Sequence, residues 1–308
     1  MTTNDLTFLL ATAIAAGTPI LYAALGEILT ERAGILNLGL EGLMLIGAVS
    51  GFAAASWMGN PWAGVLAALL AGALAGFLFG VLCIFFRTNQ IVTGLALTIF
   101  GIGLSGFLGK PLLGKPLEES FAAWNIPVLS DIPFIGRIFF QHDIMVYICY
   151  LLVPVLWYTI YRTQMGLHLR TVGENPRAAD TLGINVSKTR YLYTTLGGAI
   201  TALGGAYLSI AYVPTWLEGM TAGRGWIALA VVIFSGWNPL VAAIGAYLFG
   251  GVASLSLLMQ TIGTKIPTHF LGMAPYALTI LVLILATRGR RGGGGPAALG
   301  VPYDSEEK

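Results

Sequence analysis

Pro61–Phe86 reads PWAGVLAALLAGALAGFLFGVLCIFF, twenty-six residues with no charged, amide or hydroxyl side chain. As an α-helix at 1.5 Å per residue it would extend about 39 Å. The hydrocarbon core of a bilayer is about 30 Å thick and takes roughly 20 helical residues to cross. Gly64, Ala68, Gly72, Gly76 and Gly80 recur every fourth residue and so share one helical face. Small residues on one face let a second backbone approach closely. The stripe is read as helix packing, not as a solute site.

The rest of the chain has the same character. Of 308 residues, 56% are hydrophobic and 10% charged, with a mean hydropathy of +0.80. Soluble domains carry about 25% charged residues, so a soluble class is excluded. Apolar runs lie at about 6–25, 34–57, 61–86, 91–108, 143–161, 190–213, 225–236, 239–260 and 270–287. They do not alternate as barrel strands do, and lipid leaves an isolated segment only the helix to satisfy its backbone. The expected fold is all-α: a polytopic transmembrane bundle of about nine segments forming one domain over 1–288. No Lys or Arg precedes Arg32, which argues against a cleaved signal peptide. Cys83 and Cys149 lie in apolar runs and read as small buried hydrophobes.

Lys and Arg set the orientation. With nine crossings and residues 162–190 in the cytoplasm, the inner side holds Arg32, Arg87, Arg162, Arg170, Arg177, Lys188, Arg190, Arg288, Arg290, Arg291 and Lys308. The outer side holds Lys110, Lys115, Arg137, Arg224 and Lys265. This bias follows the positive-inside rule, with the N-terminus outside and the C-terminus inside. Residues 109–142 become an extracytoplasmic loop. Trp57, Trp62, Trp124, Trp216 and Trp226 fall near the outer boundary as an aromatic belt. Residues 289–308, Gly-rich and then acidic, read as a disordered cytoplasmic tail.

Four polar residues inside or bordering the apolar runs are candidates for a translocation path: Asn37, Glu41, Asn89 and Gln90. A carboxylate within a membrane segment should face the bundle interior, a partner or water. Asn37 precedes Glu41 by four residues and so shares its face. The pair lines a polar route or joins helices by hydrogen bonds. Asn89 also reads as an N-cap. Glu27 and Glu31 are expected to cap or to pair with Arg32. His142 and His168 read as surface histidines. No metal-ligand spacing, catalytic triad or P-loop of the form GxxxxGK with a following Ser or Thr occurs. The chain is read as non-catalytic, without cofactor or metal.

TVGENPRAADTLGINVSKTR (Thr171–Arg190) interrupts the apolar pattern. Asn175 is a good N-cap and Pro176 suits the first helical position. Gly183 can end the helix in a left-handed conformation, and Ser187 can cap the next one. Ala178, Ala179 and Leu182 form a small apolar patch beside Arg177 and Asp180, suited to docking in another protein's groove.

GLHLRTVGENPRAADTLGINV resembles the cytoplasmic coupling region of permease subunits of bacterial ABC importers, in the branched-chain amino acid, ribose and simple-sugar superfamily. ERAGILNLGLEGLMLIGA (Glu31–Ala48), GRGWIALAVVIFSGWNPL (Gly223–Leu240) and HFLGMAPYALTILVLI (His269–Ile284) resemble its nucleoside and simple-sugar branch. The likeness runs from about residue 18 to 287. It implies a bacterial inner-membrane importer subunit paired with a second permease, identical or related. It also implies a cytoplasmic ATPase and an extracytoplasmic solute-binding protein, with no nucleic-acid partner. The implied ATPase-coupling residues are Gly173, Glu174, Asn175, Pro176, Arg177, Ala178, Ala179, Asp180 and Gly183. The second-helix motif falls on Asn37, Gly39, Glu41 and Gly42. The implied solute is a nucleoside, with a simple sugar or flavin-like compound as alternatives. A secondary transporter using Glu41 and a membrane scaffold are the rival classes.

Overall fold

The computed structural model describes residues 3–261, 267–289 and 294–303. Expectations for Lys265, Arg290, Arg291 and Lys308 lie outside these residues. The helices are α1 (Thr3–Arg32), α2 (Leu40–Met58), α3 (Pro61–Gly80), α4 (Gln90–Gly109), α5 (Ile135–Phe139), α6 (Ile144–Arg162), α7 (Gln164–Glu174), α8 (Pro176–Thr181), α9 (Val186–Tyr207), α10 (Arg224–Ser235), α11 (Pro239–Thr261) and α12 (Thr268–Gly289). Wider π-helical turns, Val81–Phe85 and Leu208–Tyr212, extend α3 and α9.

Among the described residues seven helices are long and apolar enough to cross a membrane. The expected nine is corrected on this measure. The remaining two segments contribute shorter apolar helices, α10 and the stretch Phe270–Val282 of α12. α10 has 12 residues, about 18 Å of helix. The chain approaches it through residues 213–223, where Trp216 is 1% exposed. Trp216 is thus a core plug against Gly109 and not part of an interfacial belt.

The breaks between helices gather at two ends. One end, here the elbow end, carries Arg32, α7, α8 and Trp237. The opposite loop end carries residues 109–143 and 213–223. At the loop end β1 (Ala123–Asn125) pairs antiparallel with β2 (Gln141–Asp143), Trp124 opposite His142. This two-stranded sheet is a small departure from the all-α expectation. His142 is buried, its Nε2 2.7 Å from Ile138 O, so it is not a surface histidine. Burial lowers its pKa from the usual imidazole value.

α9 is the most enclosed span, 78% buried, and α4 the least, 22%. Close backbone contacts at glycine line α9. A Cβ on Gly72 would lie 2.5 Å from Gly198 O, one on Gly76 2.7 Å from Thr194 O, and one on Gly64 2.5 Å from Gly51 O. A Cβ on Gly205 would overlap Met44 O. The α3 stripe therefore faces α9 and α2 with backbone against backbone. Ala68 belongs to the same seam and is fully buried. Gly80 packs more loosely beside the Tyr191 ring. Cys83 and Cys149 are buried and unbonded to each other.

Candidate functional site

The elbow is built by successive caps. Thr163 Oγ1 accepts from Gly166 N at 3.1 Å and starts α7. Asn175 sits in an extended conformation, and its Oδ1 accepts from Ala178 N at 3.0 Å, starting α8 with Pro176 at its first position. Gly183 adopts φ +80° and ends α8, with Gly183 N donating to Asp180 O at 2.9 Å. Asn185 starts α9 by accepting from Lys188 N at 2.8 Å. The cap expected at Ser187 therefore falls two residues earlier, at Asn185, because Ile184 N still donates back to Ala179 O and α9 begins directly after that turn.

α8 presents two faces. Ala179 points inward and is fully buried with Val172 and Val186, so it is not part of the outer patch. Arg177, Ala178 and Asp180 are exposed, and Leu182 is 75% exposed. Gly173 presses on the end of α1, where a Cβ would overlap Arg32 O. Glu174 Oε2 accepts from Ala297 N at 3.2 Å. The nine elbow residues thus divide into a buried seat (Gly173, Ala179), caps (Asn175, Pro176, Gly183) and an outward face (Arg177, Ala178, Asp180), with Glu174 bonded to the tail segment.

Beneath the elbow, residues 33–39 are not helical. This corrects the continuous segment expected from residue 34. Gly34 turns the chain at φ +85°. The freed backbone groups are taken up by side chains from distant positions, as buried amides require. Gln90 Oε1 accepts from Leu36 N (2.7 Å), Glu27 Oε1 from Asn37 N (3.1 Å) and Asn37 Oδ1 from Gly39 N (2.8 Å). Thr98 Oγ1 donates to Leu38 O at 3.1 Å. Asn37 and Glu41 therefore do not share a helical face.

Glu41 lies in the first turn of α2 and binds the start of α10. Its Oε1 accepts from Thr221 Oγ1 (2.5 Å) and Gly223 N (2.8 Å), and its Oε2 from Gly225 N (2.7 Å). A carboxylate at a helix N-terminus satisfies orphan donors and complements the helix dipole. This is the helix-joining alternative of the two read from the sequence. Asn89 caps α4, accepting from Val92 N at 3.1 Å, and is exposed. Gln90 is buried, and its Nε2 has no partner among the described residues.

Arg32 does not pair with Glu27 or Glu31. It donates to Tyr161 OH (3.0 Å) and Gly236 O (3.2 Å), and stacks over the Tyr161 ring. Glu31 Oε2 accepts from Trp237 Nε1. Arg190, 1% exposed, donates from Nε to Ala33 O (3.2 Å) and from Nη1 to Val301 O (3.3 Å). Glu27, expected to cap or to pair with Arg32, instead satisfies the break at Asn37. The roles of Thr98, Trp237 and Arg190 were not expected from the sequence; for Arg190 the available signal was charge at the start of an apolar run.

The tail is also corrected. Residues 294–303 are seated on the elbow: Ala298 N donates to Gly173 O at 2.9 Å and Gly300 N to Gly34 O at 3.1 Å. The other tail residues fall outside the described ones, apart from Gly289, the last residue of α12.

A glycine-seamed bundle of membrane-length apolar helices with broken interior segments and a capped elbow at one end is the architecture of a multi-pass membrane protein. The chain belongs to the branched-chain amino acid transport system / permease component family, which it matches over residues 9–286. It is 39% identical to the nucleoside ABC transporter permease protein NupC of Lactococcus lactis, over 92% of this chain and 93% of that one. It is 38% identical to the guanosine ABC transporter permease protein NupQ of Bacillus subtilis, over 92% of each. A Haloferax volcanii protein, TsgC13, described as a candidate glucose ABC transporter permease, is 37% identical over 90% of this chain and 91% of its own. A solved ABC transporter described as a candidate metal-chelate type, in an inward-facing conformation, shares the fold, with TM-score 0.50 and 17% identity over 92% of this chain and 85% of that one.

Proposed function

We propose that the chain is the membrane-spanning permease subunit of an ATP-driven importer for nucleosides. The carrying observation is the outward face of α8. Arg177, Ala178, Asp180 and Leu182 are exposed on a helix fixed at both ends. Such a short, rigid, mixed-charge element suits the groove of a cytoplasmic ATPase, which supplies the hydrolysis. The Lys and Arg bias supports the elbow end as the cytoplasmic one. A second permease subunit and an extracytoplasmic binding protein complete the assembly in the plasma membrane.

Nucleoside is favoured by NupC and NupQ, both matched along almost their whole length. A sugar is the second reading, supported by the candidate glucose permease TsgC13. Glu41 already holds three donors of its own chain, which weighs against its use as the ion site of a secondary transporter. Among the path candidates Gln90 retains a spare buried donor, which supports it as the one nearest to solute recognition.

The test is uptake into proteoliposomes containing the permease with its ATPase and binding protein. The expected result is ATP-dependent accumulation of labelled guanosine or inosine, with unlabelled nucleoside but not glucose competing. Accumulation of glucose alone would move the assignment to the sugar reading. Uptake without ATPase would overturn the ATP-driven one.

A further inference from the structure

Residues 294–303 follow α12 and lack the apolar periodicity of the spans, yet they touch five parts of the elbow end. Gly295 lies under the Trp237 indole, where a Cβ would come within 2.6 Å of the ring. Ala297 N binds Glu174 Oε2 and Ala298 N binds Gly173 O, both at the end of α7. Gly300 N binds Gly34 O, just past α1. Val301 O accepts from buried Arg190 at the start of α9. Tyr303 packs against Val172, Ala179 and Val186, the inner face of α7 and α8 and the first residue of α9.

These anchors fall into two groups. Gly173, Glu174 and Ala179 belong to the elbow that carries α8. Gly34, Arg190 and Trp237 belong to the buried junction at the ends of α1, α9 and α10. Two anchors on each side are hydrogen bonds of ordinary length, three of the four made by backbone N–H groups of the strap. Backbone bonds of this type hold direction but exchange readily, each worth about 1 kcal/mol net. The turn at Gly300 requires φ +76°, a conformation that side-chain-bearing residues rarely adopt. A chain that bridges two groups of elements by short bonds moves them together.

We propose that residues 294–303 form a transmission strap: they tie α7 and α8 to the Gly34 turn and Trp237, so that a displacement of the elbow is passed to the inner ends of α1 and α10. This positioning role rests on the reading of α8 as the ATPase-facing lever. Apart from Tyr303, which hydrogen-bonds the Asp180 side chain, the strap is seated on the inner side of the elbow, so removing it leaves Arg177, Ala178 and Leu182 of the docking face in place.

The experiment compares the full chain with a variant lacking residues 294–308 and with Gly300→Val, which keeps the strap but strains its turn. Two readouts are taken. Amide exchange of the purified permease alone should quicken across residues 171–182, by about tenfold or more, since anchors that suppress local opening are gone. In proteoliposomes with ATPase and binding protein, ATPase capture should stay near that of the full chain. Solute moved per ATP hydrolysed should fall by about 5- to 100-fold, the range of ordinary coupling between sites. A merely structural role would lower yield or melting temperature and leave that ratio unchanged. Unchanged exchange in both variants overturns the strap. Faster exchange with an unchanged transport ratio overturns its transmission role. If the full chain itself captures no ATPase, the lever reading fails, the transmission role falls with it, and the exchange arm still decides whether the strap holds the elbow.

Discussion

Two regions of this bundle are held by opposite chemistry. Between α2, α3 and α9 the contact is glycine against backbone, with carbonyl oxygens of one helix, such as Gly198 O and Thr194 O, within 2.7 Å of where a neighbour's Cβ would stand. Around residues 33–39 the contact is polar: four side chains, Glu27, Asn37, Gln90 and Thr98, satisfy a stretch of non-helical backbone. A glycine seam has one geometry, because any side chain forces the helices apart. A polar junction has many, because each bond is worth about 0.5–1.5 kcal/mol net and can be traded for another. On the proposed transport function the seam serves as the frame, and the junction with its elbow is the part expected to change state.

That contrast can be broken most forcefully at Gly205. Gly205→Leu places a side chain on Met44 O, and overpacking of this severity should cost about 3 kcal/mol or more. Monodisperse protein after detergent extraction should nearly vanish, whereas a normal chromatographic profile would remove the seam as the frame. Next in size is Glu41→Ala, which strands Thr221 Oγ1 and two backbone N–H groups at the start of α10. The expected loss is about 2–4 kcal/mol by thermal unfolding, with Glu41→Gln retaining part of it through its carbonyl oxygen. Equal stability of both variants and the wild type would deny the α2–α10 latch.

Smaller effects sharpen the elbow side. Asn175→Ala should destabilise α8 by about 1 kcal/mol through loss of its cap. Local exchange at Ala178 should rise while the global melting temperature barely moves. Asn185→Ala should act likewise on the start of α9, and Ser187→Ala should change stability by less than about 0.5 kcal/mol. A larger effect at Ser187 than at Asn185 would return the cap to the position first read from the sequence.

The legible features were those whose cause is local. The run Pro61–Phe86 names its helix by composition and its contact face by spacing. Asn175, Pro176 and Gly183 announce α8 because capping and left-handed turns depend on a few adjacent residues. Asn89 was readable as a cap for the same reason. What was hidden has distant causes. The break at 33–39 lies in sequence that continues an apolar pattern, and it is stabilised by Gln90 and Thr98, which meet it only after folding. Trp216 looked interfacial because a boundary tryptophan and a buried plug have the same local sequence. Residues 294–303 are seated chiefly by backbone hydrogen bonds, which leave no side-chain signal. Ser187 and Asn185 are both competent caps, and only the length of the turn after Gly183 selects between them.

The central claim is that the outer face of α8 receives the ATPase while its inner face belongs to the permease. The double variant Arg177→Ala with Leu182→Ala removes the two largest side chains of that outer face and leaves Ala179, Asn175 and Gly183 untouched. The direct measurement is ATPase capture by the purified variant, alongside its melting temperature. The account predicts an unchanged melting temperature and capture weakened by about tenfold or more, as expected when anchor residues of an interface are truncated. Full capture by that variant would contradict it.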